Sequence, residues 1–263
     1  MTKIVITGTT SGIGKELALA YACPGVTLGL VGRRENRLAE VAEQCEARGA
    51  RVIVAPIDVR DGMAMHTYTE TFLAQANGID LVIANAGVGG RDALDSGDAM
   101  HHAWLFEVNV IGLLNTLLPF IPRMLQQRGG HLVAIASVAG FRALPTATTY
   151  AATKMAVRTL MEGYHWALKP QGITVTTINP GFVVSEMTSK NHFAMPFLLD
   201  TEAAVKKMVR AIQHKRRVYT FPWPMAVMAR LLAYVPGTLL QYVVSGRASL
   251  QLSDGRSETG RWV

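Results

Sequence analysis

Three glycines, Gly8, Gly12 and Gly14, stand within seven residues, directly after a short apolar run at 3–7 and directly before a stretch of helical periodicity at 12–22. A strand that turns through glycines straight into a helix leaves few folds open. Gly8 permits the tight turn, Gly12 lets the backbone approach a pyrophosphate, and Gly14 lets the helix pack close to the sheet. The start of the helix offers unpaired N–H groups and a partial positive charge to an anion. A glycine-rich loop alone is weak evidence, since it can simply be flexible. Opening the first strand–helix unit of a chain is the context that gives the motif meaning. Gly8, Ser11, Gly12, Ile13 and Gly14 therefore form a candidate phosphate cradle.

The same alternation continues along the chain. Apolar runs at 27–31, 51–55, 80–84, 131–136, 173–178 and 217–220 are separated by helical stretches at 34–48, 62–75, 104–127, 150–169 and 201–214. Strands alternating with helices predict an α/β fold: one doubly wound parallel sheet of about seven strands, with helices on both faces. Asn179-Pro180-Gly181 is expected to stop the sixth strand. A length of 263 residues, 49% hydrophobic and 17% charged, suits one large folded domain. Residues 1–220 are read as its dinucleotide-binding and catalytic part, and 221–263 as an apolar helical extension of the same domain.

Several function classes recede on composition. The net charge is +7, yet the densest basic cluster is Lys215-Arg216-Arg217, with no interleaved aromatics, so nucleic acid is not an expected partner. Cys23 and Cys45 have no metal-ligand or disulfide spacing. His101, His102, His131 and His165 have neither metal nor triad spacing, and read as surface or capping residues. A reducing, cytoplasmic setting fits, and the early first strand leaves no room for a signal peptide. The apolar stretch 104–125 contains Glu107, Asn109, Pro119 and Pro122, which favours a buried helix that also makes a subunit contact over a membrane span. Residues 221–244 carry one charge, Arg230, and three prolines, and are read as a lid, an oligomer contact or a membrane-surface helix.

The residues that carry chemistry lie after the cradle. The second strand ends in Gly32-Arg33-Arg34, where an acid would bind the 2′-hydroxyl of NAD and an arginine accommodates the 2′-phosphate of NADP. Arg33 and Arg34 thus favour NADP(H), unless both are solvated helix-start residues. Asp58 follows the third strand and suits either the adenine amino group or a turn cap. Tyr150 and Lys154, four apart on one helix, share a face. A free phenol has a pKa of about 10, and a neighbouring ammonium is expected to lower it into the range of a proton donor and acceptor. Ser137 follows the fifth strand, at the end where ligands bind in open α/β sheets, so its hydroxyl can hold a substrate oxygen. Asn109 is a polar amide within an apolar helix, costly unless used or satisfied.

Taken together, Thr7-Gly8 through Gly12-Ile13-Gly14, Asn85-Ala86-Gly87, Asn109, Ser137, Tyr150-Ala151-Ala152-Thr153-Lys154 and Asn179-Pro180-Gly181 give a chain that resembles the short-chain dehydrogenases/reductases over residues 1–217. The resemblance implies that Tyr150 is the acid/base and that Lys154 binds the nicotinamide ribose and lowers the Tyr150 pKa. It further implies that Ser137 orients the substrate carbonyl and that Asn109 holds a water in a proton relay to Lys154. Asn85, Ala86 and Gly87 would steady the sheet and touch the adenosine ribose side, while Pro180, Val183 and Ser185 would line the carboxamide. Arg33 matches the position marking NADP preference. The chain departs from the usual pattern at Ala84, Thr153 and Ser185, each keeping approximate size or hydrogen-bonding function. By the same analogy, homodimers or homotetramers pairing through 104–125 and 150–169 are expected.

The expected function is reversible hydride transfer between NADP(H) and a ketone or secondary alcohol, in the reducing direction. Residues 187–199 are read as an apolar lid, with Met187, Phe193, Met195, Phe197, Leu198 and Leu199, suiting a hydrophobic substrate. Arg142 and Trp104 are further candidates for substrate contact. Two readings from other classes stand beside it: an NADP-binding sensor or scaffold without turnover, and a membrane-surface protein acting through its C-terminal tail.

Overall fold

The computed structural model describes residues 2–90, 92, 94, 97–143, 147–189 and 194–240. Seven strands form one parallel sheet: β1 (Thr2–Thr7), β2 (Val26–Val31), β3 (Arg51–Ala55), β4 (Leu81–Ala84), β5 (Gly130–Ile135), β6 (Ile173–Pro180) and β7 (Val218–Phe221), in the order β3-β2-β1-β4-β5-β6-β7. Strand order reverses between β1 and β4, and the crevice at their carboxyl ends is where such sheets receive ligands.

Both faces of the sheet are buried, which is why its strands read as continuous apolar runs. On one face α1 (Gly12–Tyr21), α2 (Glu35–Glu46) and α8 (Thr201–Gln213) bring Leu17, Leu38 and Met208 onto Ile4, Ile6, Leu28 and Ile83. On the other face α3 (Gly62–Ala76) brings Met65 and Phe72 onto Val5 and Val82. There α7 (Thr148–Leu168) brings Val157 and Met161 onto Leu132 and Val175. Successive residues such as Ile4 and Val5 thus serve opposite cores, as the two-residue period of a strand requires.

Two expected boundaries are corrected. The sixth strand does not stop at Asn179: Asn179 pairs with Thr220 and Pro180 with Phe221. A proline at the last ladder position removes only one donor, and the next amide, Gly181 N–H, donates to the Phe221 carbonyl at 2.7 Å. Nor is 104–127 one uniform helix. It begins earlier and runs as α4 (Ala99–Phe106), a π turn (Glu107–Ile111), α5 (Gly112–Leu117), a 3-10 turn (Leu118–Phe120) and α6 (Ile121–Gln127). Pro119 lacks an N–H and tightens its turn, while the π turn inserts extra backbone at Asn109. This run of 29 residues is long and apolar enough to cross a membrane by length and composition. In the fold it lies along the sheet, burying Leu105, Val108, Leu113, Leu117, Phe120 and Met124. After β7, α9 (Trp223–Tyr234) begins the expected helical extension, and residues 241–263 lie outside the described residues.

Candidate active site

The glycine loop is tied to the end of β4. Thr7 Oγ1 accepts from the backbone N–H groups of Asn85 and Ala86 at 3.3 and 3.2 Å. Asn85 Nδ2 returns donations to the Thr7 and Gly8 carbonyls at 3.0 and 3.3 Å. Asn85 and Ala86 therefore steady the central sheet. The packing leaves no space for side chains: a Cβ on Gly14 would lie 2.1 Å from the Gly8 carbonyl oxygen, and one on Gly8 2.8 Å from Ala86 Cα. Gly12 sits at φ +52, in the left-handed region, and its Cβ position faces Ser185 at 3.3 Å across the crevice. Ser11 precedes α1 without a side-chain cap bond, and the first turn holds no acid. The N–H groups there are left to an anion, so the cradle fits the pyrophosphate of a dinucleotide.

Beyond β2, the two arginines separate. Among the described residues Arg33 has only a loose ion pair, with Asp58 at 3.7 Å. Arg34 instead bonds to Thr10 Oγ1, Ser11 Oγ and Glu186. Asp58 caps the turn that follows it, accepting from the Arg60 backbone N–H at 3.0 Å and from its guanidinium at 2.9 Å. Although burial works to raise it, these bonds and the nearby charges of Arg60 and Arg33 hold its carboxyl below the usual range.

At the far side of the crevice, Ser137 closes β5 and its Oγ accepts from Ala139 N–H at 3.1 Å. The same hydroxyl works to lower the pKa of the neighbouring Tyr150 phenol. Lys154, one turn on along α7, is buried, and its Nζ lies 5.8 Å from the Tyr150 ring centroid. It donates to the Ile135 carbonyl at 3.0 Å. The expectation that Lys154 draws the phenol pKa down needs correcting for the chain by itself. Burial pushes the phenol up, and the group opposing that is Ser137. Desolvation acts on Lys154 too, pushing its ammonium down to about 8.

Asn109 has protein partners. Its Oδ1 accepts from Val88 N–H at 2.8 Å, and its Nδ2 donates to the Val88 carbonyl at 2.9 Å and to Thr153 Oγ1 at 3.0 Å. Both hydrogens of the amide nitrogen are thus used, and the side chain positions the segment after β4. Gly87 lies between it and the lysine: a Cβ there would be 3.2 Å from Asn109 Oδ1 and 3.4 Å from Lys154 Nζ. At the end of β6, the Val183 side chain turns into the core, leaving only its backbone to the crevice. Ser185 Oγ is 3.2 Å from Thr188 Oγ1, and Thr188 donates to the Val183 carbonyl at 2.8 Å. Of the lid, Met187 touches the Gly89 position and Phe197 and Leu198 are exposed, whereas Phe193 lies outside the described residues.

Other contributors escaped the sequence reading. Asp92 accepts from the Thr149 N–H at 3.2 Å, capping the helix that carries Tyr150, and its side chain is almost wholly buried. His102, expected as a surface or capping residue, bonds to Thr149 Oγ1 on the same turn. Arg158, further along α7, donates to the Gly140 carbonyl and stacks on Phe141 in the turn that follows Ser137. Glu186 bonds to Arg34 and Arg37 across the crevice. Periodicity marks none of these. Among the described residues no cluster of His, Cys, Asp or Glu could hold a metal ion.

Comparison with known proteins agrees with this architecture. The family model for short chain dehydrogenases matches residues 2–196. An uncharacterized oxidoreductase of Myxococcus xanthus is 38% identical over 240 residues, covering 89% of this chain and 93% of its own. A short-chain dehydrogenase/reductase of Burkholderia phymatum, solved with NAD, superposes with a TM-score of 0.80 at 25% identity, covering 99% of this chain and 98% of its own. An alcohol dehydrogenase of Thermococcus sibiricus, solved with 5-hydroxy-NADP, gives 0.74 at 26% identity, covering 84% of this chain and 95% of its own. Glycine cradle, buried lysine one turn from Tyr150, and the family match over most of the length lead to one assignment: the chain is an oxidoreductase of the short-chain dehydrogenase/reductase family.

Proposed function

We propose that the protein is an NADP(H)-dependent ketone reductase, passing a hydride reversibly between the nicotinamide and a ketone or secondary alcohol, with Tyr150 as acid/base. The observation that carries this is the buried Lys154 ammonium, 5.8 Å from the Tyr150 ring centroid and beside Ser137 at the end of β5, across the crevice from a glycine cradle with no room for side chains. The family's solved members include one with NAD and an alcohol dehydrogenase with an NADP derivative, which supports a nicotinamide cofactor. Arg33, exposed and only loosely paired, favours the 2′-phosphate form, and no acid ends β2 to favour NAD.

In this reading the glycine loop and the α1 N-terminus hold the pyrophosphate, and Lys154 holds the nicotinamide ribose. When bound, the nicotinamide supplies the hydride. Ser137 Oγ orients the substrate carbonyl oxygen, and the Tyr150 hydroxyl donates its proton to that oxygen. A phenol pushed up by burial is protonated at neutral pH, which suits a donor in the reducing direction. Lys154 Nζ is the cation beside the phenolate left behind. The exposed apolar side chains of Met187, Phe197 and Leu198 support a hydrophobic substrate. Phe106, Ile111, Leu118 and Leu125, exposed on the α4–α6 run, support a homodimer or homotetramer.

The test is NADPH oxidation over a panel of apolar and sugar-like ketones, with wild type and Tyr150→Phe side by side. Turnover of apolar ketones, falling about 10²–10⁴-fold in the variant while NADPH still binds, is the expected result. Near-wild-type turnover in the variant refutes the acid/base assignment. A second reading is favoured by α9, whose Trp223, Leu231 and Tyr234 are 76%, 65% and 88% exposed: contact with a membrane surface. Flotation with anionic liposomes, comparing wild type with a Trp223→Ser, Leu231→Ser, Tyr234→Ser variant, decides it.

A further inference from the structure

Arg34 uses its whole guanidinium edge. Its Nη1 donates to Glu186 Oε2 at 2.9 Å, its Nη2 to Ser11 Oγ at 2.8 Å and Thr10 Oγ1 at 3.0 Å, and its Nε to Thr10 Oγ1 at 3.2 Å. The other oxygen of Glu186 takes Arg37. One carboxylate thus lies between two arginines at the start of α2, although it comes from the loop after β6, 152 residues away from Arg34 in sequence. The bridge spans the crevice where Gly12 and Ser185 face each other. Burial works to raise the Glu186 carboxyl, but hydrogen bonds from Arg37 and Arg34 hold it below the usual range, so it is ionised at neutral pH.

The position of this carboxylate is informative. Arg34 is hydrogen-bonded to the glycine loop itself, so it stands between the pyrophosphate cradle and the tip of β2, where the adenosine ribose belongs. A phosphate on that ribose needs arginine donors in this place, and two of the three arginines here are already held by an anion that the protein supplies. We propose that Glu186 is a built-in competitor for the 2′-phosphate: NADP(H) displaces it from Arg34 and Arg37, whereas NAD(H), lacking that phosphate, leaves the bridge closed. Glu186 then sets the strength of nucleotide discrimination and links 2′-phosphate binding to release of the loop after β6. The inference rests on the NADP reading above.

The test measures dissociation constants of NADPH and NADH, by nucleotide fluorescence, for wild type, Glu186→Gln and Glu186→Ala. Removing the competing charge frees charge-assisted donors, so NADPH binding should tighten about tenfold in both variants. NADH binding should change less, so the preference for NADPH widens. Adding Arg34→Ala should cost more NADPH affinity in the Glu186→Gln background than in wild type, because only there is its charge free. An unchanged NADPH:NADH ratio in both variants, or equal weakening of both nucleotides, overturns the competitor while leaving the NADP reading intact. A wild-type protein that prefers NADH overturns both.

Discussion

The Asn109 side chain grips the backbone of Val88 from both sides, accepting from its N–H at 2.8 Å and donating to its carbonyl at 2.9 Å. This two-point bond makes the residue part of a substitute ladder for the chain leaving β4. The π turn around Asn109 brings the amide to that segment, and Nδ2 also reaches Thr153 Oγ1 on the helix of Tyr150. One side chain therefore fixes the segment after β4 to the helix that carries Tyr150.

Asn109→Ala should destabilise the fold by about 1–3 kcal/mol, the cost of leaving buried polar groups unpaired. Urea unfolding measures this. Asn109→Asp keeps an acceptor for Val88 N–H but loses the donor, and should fall between. Stability of the alanine variant equal to wild type would mean that the Val88 bonds contribute nothing.

Gly14→Ala places a methyl 2.1 Å from the Gly8 carbonyl oxygen, against backbone that cannot swing away. Helix α1 must move off the loop, at a cost of about 1–3 kcal/mol. Both a lower Tm and weaker NADPH binding are expected, measured by thermal scanning and nucleotide fluorescence.

Lys154 gives a pH signature. Its ammonium has a pKa of 10.5 in the unfolded chain and about 8 in the fold. Between these values the unfolded state binds more protons, so stability rises with pH from about 8. From pH 9 the Cys45 thiol, which burial pushes up to about 11, works in the opposite direction, and above pH 10 the raised phenol of Tyr150 joins it, so the rise is steepest between about 8 and 9. Denaturant titrations at pH 7.5, 8.5 and 9.5 should show this rise in wild type and its absence in Lys154→Met.

His131 acts in the acid range. Burial, with Lys215 nearby, pushes the imidazole from 6.5 down to about 4, and its Nε2 is 2.8 Å from Thr176 Oγ1. The unfolded chain takes up the proton first, so stability is lost as pH falls from 6.5 towards 4, by about 3 kcal/mol in all. His131→Gln should flatten the stability–pH curve over this interval, as followed by urea midpoints.

Much of this architecture could be read before any coordinates. Strands buried on both faces need unbroken apolar runs, so Ile4-Val5-Ile6 and Leu81-Val82-Ile83 announce themselves. Tyr150 and Lys154 are found together because helical spacing is local. The π turn at Asn109 is not legible, since the apolar pattern passes through it unbroken and the extra backbone is forced by contacts with Val88 and Thr153. Asp92 and Glu186 hide for another reason: their partners are 57 and 152 residues distant, and nothing periodic links such positions. Lys154 was legible as a neighbour of Tyr150, but the effect of burial on both groups depends on packing that no spacing rule contains.

The bond from Arg158 to the Gly140 carbonyl has a mechanical consequence. Arg158, Tyr150 and Lys154 ride on one helix, and the first of them clamps the turn beginning at Ser137. Lys154 reaches the Ile135 carbonyl of β5 from that same helix, so α7 is fastened to the sheet on both sides of Ser137, and a push that slid the helix would have to break both fastenings before hydroxyl, phenol and ammonium lost their spacing.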